Sequence, residues 1–382
     1  MSHPLLDWAD ASLPAMLHDI EHLVRVESPS ADHAAVARSA DAVGEVGERR
    51  LGFAPERIVV DGCTHLRWHL GSPEPDVPRV LLLAHHDTVW PIGSLETHPF
   101  SIQDGVIRGP GCFDMLTGLV MAVHVMAQVG HLPDAAVTLL VTGDEELGSP
   151  SSRELIEQEA EGCVAALVLE ASGDGGAIKI GRKGTSNYTV AITGRAAHAG
   201  LEPEKGLNAT VELAHQVAAV VGFADASLGT TVTPTVAQSG TTVNTVPAHS
   251  SFEVDVRALT SAEQERVDAA FRTLASATGA RIAVHGGINR PPLEVAATEG
   301  VWRRARAVAS ELGLDLPDAI VVGGASDGNF TAGIGVPTLD GLGAVGGGAH
   351  ADHEHAMVDD IPNRTALLAG LIRDLLGVDR AR

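Results

Sequence analysis

Val80-Leu81-Leu82-Leu83-Ala84-His85-His86-Asp87 is the stretch on which the reading of this chain turns. The apolar run reads as a strand, and a strand places residues i and i+2 on one face. His85 and Asp87 therefore point one way and His86 the other. A ring oriented by a nearby carboxylate is prepared to bind a metal. The carboxyl end of a strand is where open α/β sheets keep their active sites. A buried His paired with a carboxylate for structural reasons has the same pattern, and these residues alone leave both readings open.

Outward from this strand, apolar runs alternate with helical patterns. Helical periodicity covers about 13–26, 32–51, 115–128 and 152–159, and strand patterns cover about 80–85, 137–142 and 165–170. That alternation predicts a largely parallel sheet covered by helices. After Glu170 the pattern changes. Strands at about 187–193, 231–237, 251–258 and 281–284 and helices at 207–221 and 261–278 give the order βαββαβ, expected of an α+β domain with an antiparallel sheet. Asn289-Arg290-Pro291-Pro292 reads as the linker back. Helices at about 297–312 and 362–376 and strands at 319–322 and 336–339 resume the first pattern. The expected organisation is an α/β domain of residues 1–182 and 291–382 with an α+β domain of residues 183–290 inserted in it.

The 382 residues suffice for two or three domains. With 45% hydrophobic and only 3% aromatic residues, the core must be mostly Val, Leu, Ala and Ile. A net charge of −23, with Lys179, Lys183 and Lys205 as the only lysines, argues against a nucleic-acid partner or an anionic membrane surface. An acidic field also concentrates divalent cations. Cys63, Cys112 and Cys163 form no C-x-x-C pair and no disulfide framework, which suits a reducing cytoplasm. No signal-peptide pattern opens the chain, and 116–129, interrupted by Gly118 and His124, reads as too short to span a bilayer.

Further sites share the setting of His85. Asp114 lies in Gly109-Pro110-Gly111-Cys112-Phe113-Asp114 just before a helix, either as an N-cap or as a functional carboxylate. Asp144-Glu145-Glu146 follows a strand; a solvated loop tolerates such a cluster, and a metal ion neutralises it. Glu170 directly follows a buried strand, which is costly without a partner. His350-Ala351-Asp352-His353-Glu354-His355 is a surface tract or a metal donor. Together these sites supply His, Asp, Glu, Glu and His without thiolates, a set that suits zinc, cobalt or manganese. Five ligands and a spare carboxylate suit two metals about 3.5–4 Å apart, bridged by one carboxylate and a water.

At this point the chain resembles the di-zinc exopeptidase and amidohydrolase family of bacterial glutamate carboxypeptidase, aminoacylase-1 and succinyl-diaminopimelate desuccinylase. The resemblance runs over nearly the whole chain, and the look is closest to the glutamate carboxypeptidase branch. It is carried by Ala84–Pro91, Gly109–Met115, Thr142–Gly148, Leu169-Glu170, Ala197–Gly200 and Gly348–His350. It implies Asp114 bridging two zinc ions, His85 and Glu170 completing one site, and Glu146 and His350 the other. It further implies Asp87 holding the His85 ring, Glu145 as general acid/base, and a cis peptide at Asp114-Met115. The family's inserted domain makes a homodimer, and His198 matches the residue that reaches the partner subunit's site to stabilise the oxyanion. Asn244, Arg257 and Gly324 match substrate-side positions, and Arg290 or Lys183 is expected to meet a substrate carboxylate. The implied activity is hydrolysis of an amide bond beside a free carboxylate, in peptides (carboxypeptidase) or N-acyl amino acids (aminoacylase). Many members have Lys-Gly-Gly where this chain has Leu116-Thr117-Gly118, which bears on packing and substrate choice.

Two rival readings remain. Gly324-Ala325-Ser326-Asp327-Gly328 fits the G-x-S-x-G nucleophile pattern, with Asp340 and His350 following in serine-hydrolase order. That chemistry leaves His85, Asp114, Glu145, Glu146 and Glu170 unexplained. Gly341–Gly346 fits G-x-G-x-x-G but leads into no helix. A non-catalytic metal-binding protein of the same fold is the other rival, and the presence of Glu145 speaks against it.

Overall fold

The computed structural model describes residues 3–71, 77–130 and 136–377. The chain forms two compact units: residues 1–181, 295–322 and 326–382, and residues Arg182–Glu294 with Gly323–Ala325.

The first unit is built on a six-stranded sheet in the order Glu56–Val60, Cys63–Leu70, Ala136–Thr142, Arg79–His85, Ala165–Val168, Thr338–Leu339. The first two pairings are antiparallel and the remaining three parallel. Parallel strands covered on both sides read as continuous apolar runs, and the quoted strand shows why. Val80, Leu82 and Ala84 enter one core while Leu81 and Leu83 enter another. Helices Pro4–Val24, His33–Leu51, Thr117–Val129, Val295–Leu312 and Ile361–Leu376 contribute to the first core, and Arg153–Ala160 and Gly328–Gly333 to the second. Local chemistry sets their ends. Asp32 caps His33–Leu51 through the N–H groups of Ala34 and Ala35, and Gly52, at φ 85°, closes it.

The second unit is an antiparallel sheet in the order Thr231–Ser239, His249–Ala258, Gly184–Thr193, Arg281–Arg290, with helices Ala209–Val221 and Ser261–Arg272. Alternate residues Tyr188, Val190 and Ile192 meet Phe252, Val254 and Val256 in its core.

Several expectations are corrected. The helix expected to reach residue 278 ends at Arg272, because the Ala277 and Thr278 N–H groups bond to the Glu212 carboxylate at 3.0 and 2.7 Å and are lost to a helical ladder. The strand expected over 281–284 continues to Arg290, through part of the anticipated linker. The hairpin of Glu56–Val60 and Cys63–Leu70 was not expected, nor was the small sheet joining Ser101–Gln103, Val106–Arg108, Gly346–Gly347 and His355–Met357. Finally, the segment read as too short for a membrane is helix Thr117–Val129, and the wide turn Cys112–Leu116 precedes it without a break. Cys112–Val129 is 18 residues and apolar enough to cross a bilayer, yet 83% of it is buried inside the structure, as a core helix is.

Candidate active site

Three neighbouring parallel strands end together, and the segments that follow them carry the expected residues. His85 closes Arg79–His85. Glu145 and Glu146 occupy the 3-10 turn Glu145–Leu147 after Ala136–Thr142. Glu170 lies just beyond Ala165–Val168. Asp114 sits in the wide turn Cys112–Leu116 ahead of the core helix, and the Asp114-Met115 peptide is cis. His350 comes from the loop before His355–Met357, at a left-handed φ of 62°.

These side chains form two groups that share Asp114. In each of His85/Asp114/Glu170 and Asp114/Glu146/His350, one ligand-type atom per residue lies within 4.8 Å of the others. His85 Nε2 is 3.5 Å from Asp114 Oδ1 and 3.6 Å from Glu170 Oε1. His350 Nε2 is 3.3 Å from Asp114 Oδ2 and 3.0 Å from Glu146 Oε1. His85 Nε2 and Asp114 Oδ1 are buried and make no hydrogen bond, an expensive state that a bound divalent cation would relieve.

The electrostatics point the same way. Burial works against ionising Asp114, but His350 and His85 outweigh it and hold its carboxyl far below the usual range. Hydrogen bonds to Asp114 and Glu146 lift the His350 ring to about 10. The carboxylates thus demand positive charge strongly enough to keep an imidazole protonated well above its ordinary range. A set of His nitrogens and carboxylate oxygens, without thiolates, fits zinc or a similar ion.

The turn itself is held from beneath. The His85 Nδ1–H donates to the Asp87 carbonyl at 2.9 Å and lies 3.4 Å from Asp87 Oδ1. The Asp87 carboxylate also accepts the N–H groups of Glu145 and Glu146, each at 3.2 Å, and the Ser30 hydroxyl at 2.6 Å. His86 points away, as expected, with Nε2 at 3.0 Å from the Thr64 carbonyl. Burial lowers its pKa to about 4 and keeps the ring neutral. Sequence reasoning missed two supports. Ser30 lies far from any motif, and the buried Glu354 carboxylate binds the backbone of the Asp114 turn. Glu354's place beside His350 in the quoted loop was the available signal.

The family model described as Peptidase family M20/M25/M40 matches residues 81–374. The chain belongs to this family. Carboxypeptidase G2 of Pseudomonas sp. (strain RS-16) is 30% identical over 382 residues, covering 95% of this chain and 89% of that protein. Succinyl-diaminopimelate desuccinylase of Caulobacter vibrioides (strain NA1000 / CB15N) is 25% identical over 356 residues, covering 85% and 87%. The fold matches the M20 family metallo-carboxypeptidase Sso-CP2 of Sulfolobus solfataricus at a TM-score of 0.74 and 16% identity, over 94% of this chain and 99% of that one. The molecule is thus an M20-family metallopeptidase.

The remaining site residues expected of this M20 peptidase lie in the second unit. His198 is exposed on the short strand Ala197–His198, which pairs with Thr245–Val246. Its Nδ1 accepts the N–H groups of Gly200 and Leu201, both at 3.1 Å. Asn244 is brought beside it, the Asn244 carbonyl accepting the Ala199 N–H at 2.9 Å. Arg257 is tied to Asp255 at 2.8 Å. Arg290 is buried at the end of its strand, and its carbonyl accepts from Gln264. Lys183 is half-buried between the strands Lys179–Arg182 and Gly184–Thr193. The Gly324 carbonyl accepts from Arg182 at 3.2 Å.

The serine reading does not survive the geometry of this M20 peptidase. Ser326 is 0% exposed. Its hydroxyl donates to Asp340 and accepts the Gly328 N–H, while His350 is committed to Asp114 and Glu146. Cys63, His65 and Asp144 form another close cluster, but protein groups already satisfy it. His65 Nδ1 accepts the Gly143 N–H at 3.2 Å, and Asp144 accepts the Ser151 and Ser152 hydroxyls, each at 2.6 Å. Burial, reinforced by Asp144, raises the Cys63 thiol to about 12, far from a ligating thiolate. This cluster anchors the turn that bears Glu145.

Proposed function

We propose that this chain hydrolyses the amide bond next to a free carboxylate in peptides or N-acyl amino acids, in the manner of a glutamate carboxypeptidase. The observation that carries the reading is Asp114 standing in both donor groups, one carboxylate between two His-and-carboxylate sets. Asp114, His85 and Glu170 would hold one zinc ion, and Asp114, Glu146 and His350 a second, with cobalt or manganese as chemical alternatives. Divalent ions held at these residues would supply polarisation of the scissile carbonyl and a lowered pKa for water.

The chain's own groups do the rest. The Glu145 carboxylate takes a proton from the attacking water and delivers it to the nitrogen of the leaving amine, so one residue serves as base and then acid. Asp87 keeps the His85 ring in place and the Glu145–Glu146 backbone below it. In this reading the second unit makes a homodimer, in which the partner subunit's His198 donates a hydrogen bond to the developing oxyanion. Asn244, Arg257, Arg290, Lys183 and the Gly324 turn are the substrate-side groups, a guanidinium being suited to a substrate carboxylate. Similarity to carboxypeptidase G2 along 95% of the chain favours carboxypeptidase over aminoacylase substrates. A reducing cytoplasm suits three buried free thiols.

The test is a chelator-treated preparation restored with zinc, cobalt or manganese and assayed on dipeptides and N-acyl amino acids, with C-terminal amides as controls. Metal-dependent cleavage that requires the free carboxylate is expected. Activity indifferent to chelation, or equal on the amides, refutes the reading.

A further inference from the structure

The mechanism above does not use Glu354, although it is among the most heavily engaged carboxylates near the site. It is 4% exposed. A carboxylate so buried is costly unless its lone pairs are met. Here four N–H donors meet them. Oε1 accepts the backbone N–H groups of Phe113 at 2.9 Å and Asp114 at 3.1 Å. Oε2 accepts the Gly111 N–H at 3.1 Å and the Trp90 indole N–H at 2.7 Å.

These donors come from two separate segments. Gly111, Phe113 and Asp114 form the turn that presents the shared carboxylate. Trp90 belongs to the segment that continues from His85 and Asp87. Glu354 itself lies four residues after His350, and its own N–H bonds to the Ala351 carbonyl at 2.8 Å, closing that loop. One side chain therefore joins all three segments that bring His85, Asp114 and His350 together. The strand ends beneath carry Glu146 and Glu170 on a rigid sheet. The Asp114 turn runs into the core helix and the His350 loop spans two strands of the small sheet, and Glu354 ties each to the other.

We propose that Glu354 is a positioning residue of the active site, whose carboxylate sets the place of Asp114 by gathering the 111–114 backbone and tying it to Trp90 and the His350 loop. This inference rests on the two-metal reading of Asp114. Outer partners that orient ligands typically contribute about 10–100-fold to metal affinity or activity.

The test is titration of zinc into the chelator-treated full-length protein and its Glu354→Gln variant, with kcat and KM measured at saturating zinc. Gln replaces one oxygen by an NH2 group that faces N–H donors. Both zinc-binding steps should weaken about 10–100-fold, because Asp114 serves both. The kcat should fall with little change in KM. If wild type takes up two zinc ions and the variant binds both as tightly, or loses only one step, the positioning role is overturned while the two-metal reading stands. If wild type itself does not bind two ions, the two-metal reading falls and this inference with it. Should Glu354→Gln fail to fold, Glu354→Asp, too short to reach all four donors, is read by the same titration and criteria.

Discussion

Asp87 Oδ1 accepts the backbone N–H of Glu145 at 3.2 Å. The residue expected to hold the His85 ring thus also holds the peptide of the proposed base, and the neighbouring Oδ2 takes the Glu146 N–H and the Ser30 hydroxyl. Asp87→Asn sets an NH2 group against these donors. Zinc affinity and kcat/KM should each fall about 10–100-fold, and the melting temperature should also drop, because buried donors lose their acceptor. Unchanged zinc binding and turnover would show that the carboxylate positions nothing.

The proposed tasks of Glu145 and His198 are separable. Glu145→Gln should bind two zinc ions and lose about 10²–10⁴-fold in kcat; substantial residual turnover refutes the proton-transfer role. His198→Ala should also cripple turnover while zinc binding persists. If His198 acts on the partner's site, co-refolding the two inactive variants restores activity, because each mixed dimer holds one site with Glu145 and an intact partner His198. Mixed dimers that stay inactive rule out action across the dimer.

The core helix approaches the Leu169–Glu170 segment without room for a side chain. A Cβ at Gly118 would lie 2.0 Å from the Leu169 carbonyl oxygen, and one at Gly343 would lie 2.1 Å from the same atom. The departure at Leu116-Thr117-Gly118 therefore keeps glycine where contact demands it, and buries Leu116 in the core. Gly118→Ala should cost about 1–3 kcal/mol by overpacking and lower activity by displacing Glu170. Thermal unfolding and kcat measure both, and a neutral outcome would mean the helix can shift without cost.

The second unit should lose stability in acid through Glu212. Burial opposes ionisation of this carboxylate, but hydrogen bonds from Thr278, Ala277 and Gln216 outweigh it and bring the carboxyl from 4.5 to about 2. A group with a lowered folded pKa binds protons more readily when unfolded. Its contribution is complete above 4.5 and is lost as the pH falls toward about 2. Glu212→Gln should reduce stability near neutral pH by about 1–3 kcal/mol and flatten the dependence across that window. Urea unfolding near neutrality and at about pH 3 checks this. Parallel pH profiles for the two proteins would remove Glu212 as the cause.

Much of the architecture is legible in local pattern. The parallel strands announce themselves because they are buried on both faces and so carry unbroken apolar runs. The second unit's strands alternate because one face is covered by helices. Both signals lie within a few consecutive residues. The Glu56–Leu70 hairpin was missed because Glu56–Val60 is a short edge strand, largely exposed, whose apolar run is only Ile58-Val59-Val60. The early end of the helix at Arg272 was missed because Glu212, sixty residues away, captures the amides that would have prolonged it.

The candidate site divides in the same way. Sequence by itself placed His85, Glu145, Glu146 and Glu170 just after strands, and placed Asp114 and His350 in glycine-rich turns, since these positions follow from short-range pattern and resemblance. The resemblance also implied Asp114 between both sets, but only the tertiary structure decided that Asp87 holds the Glu145 backbone and that Ser326 belongs to Asp340 rather than to His350. It also brought Glu354 under the Asp114 turn. Those relations join residues from about 14 to 240 positions apart. A hydrogen bond depends on distance and angle in space, and chain order constrains neither until the sheet has brought the segments together.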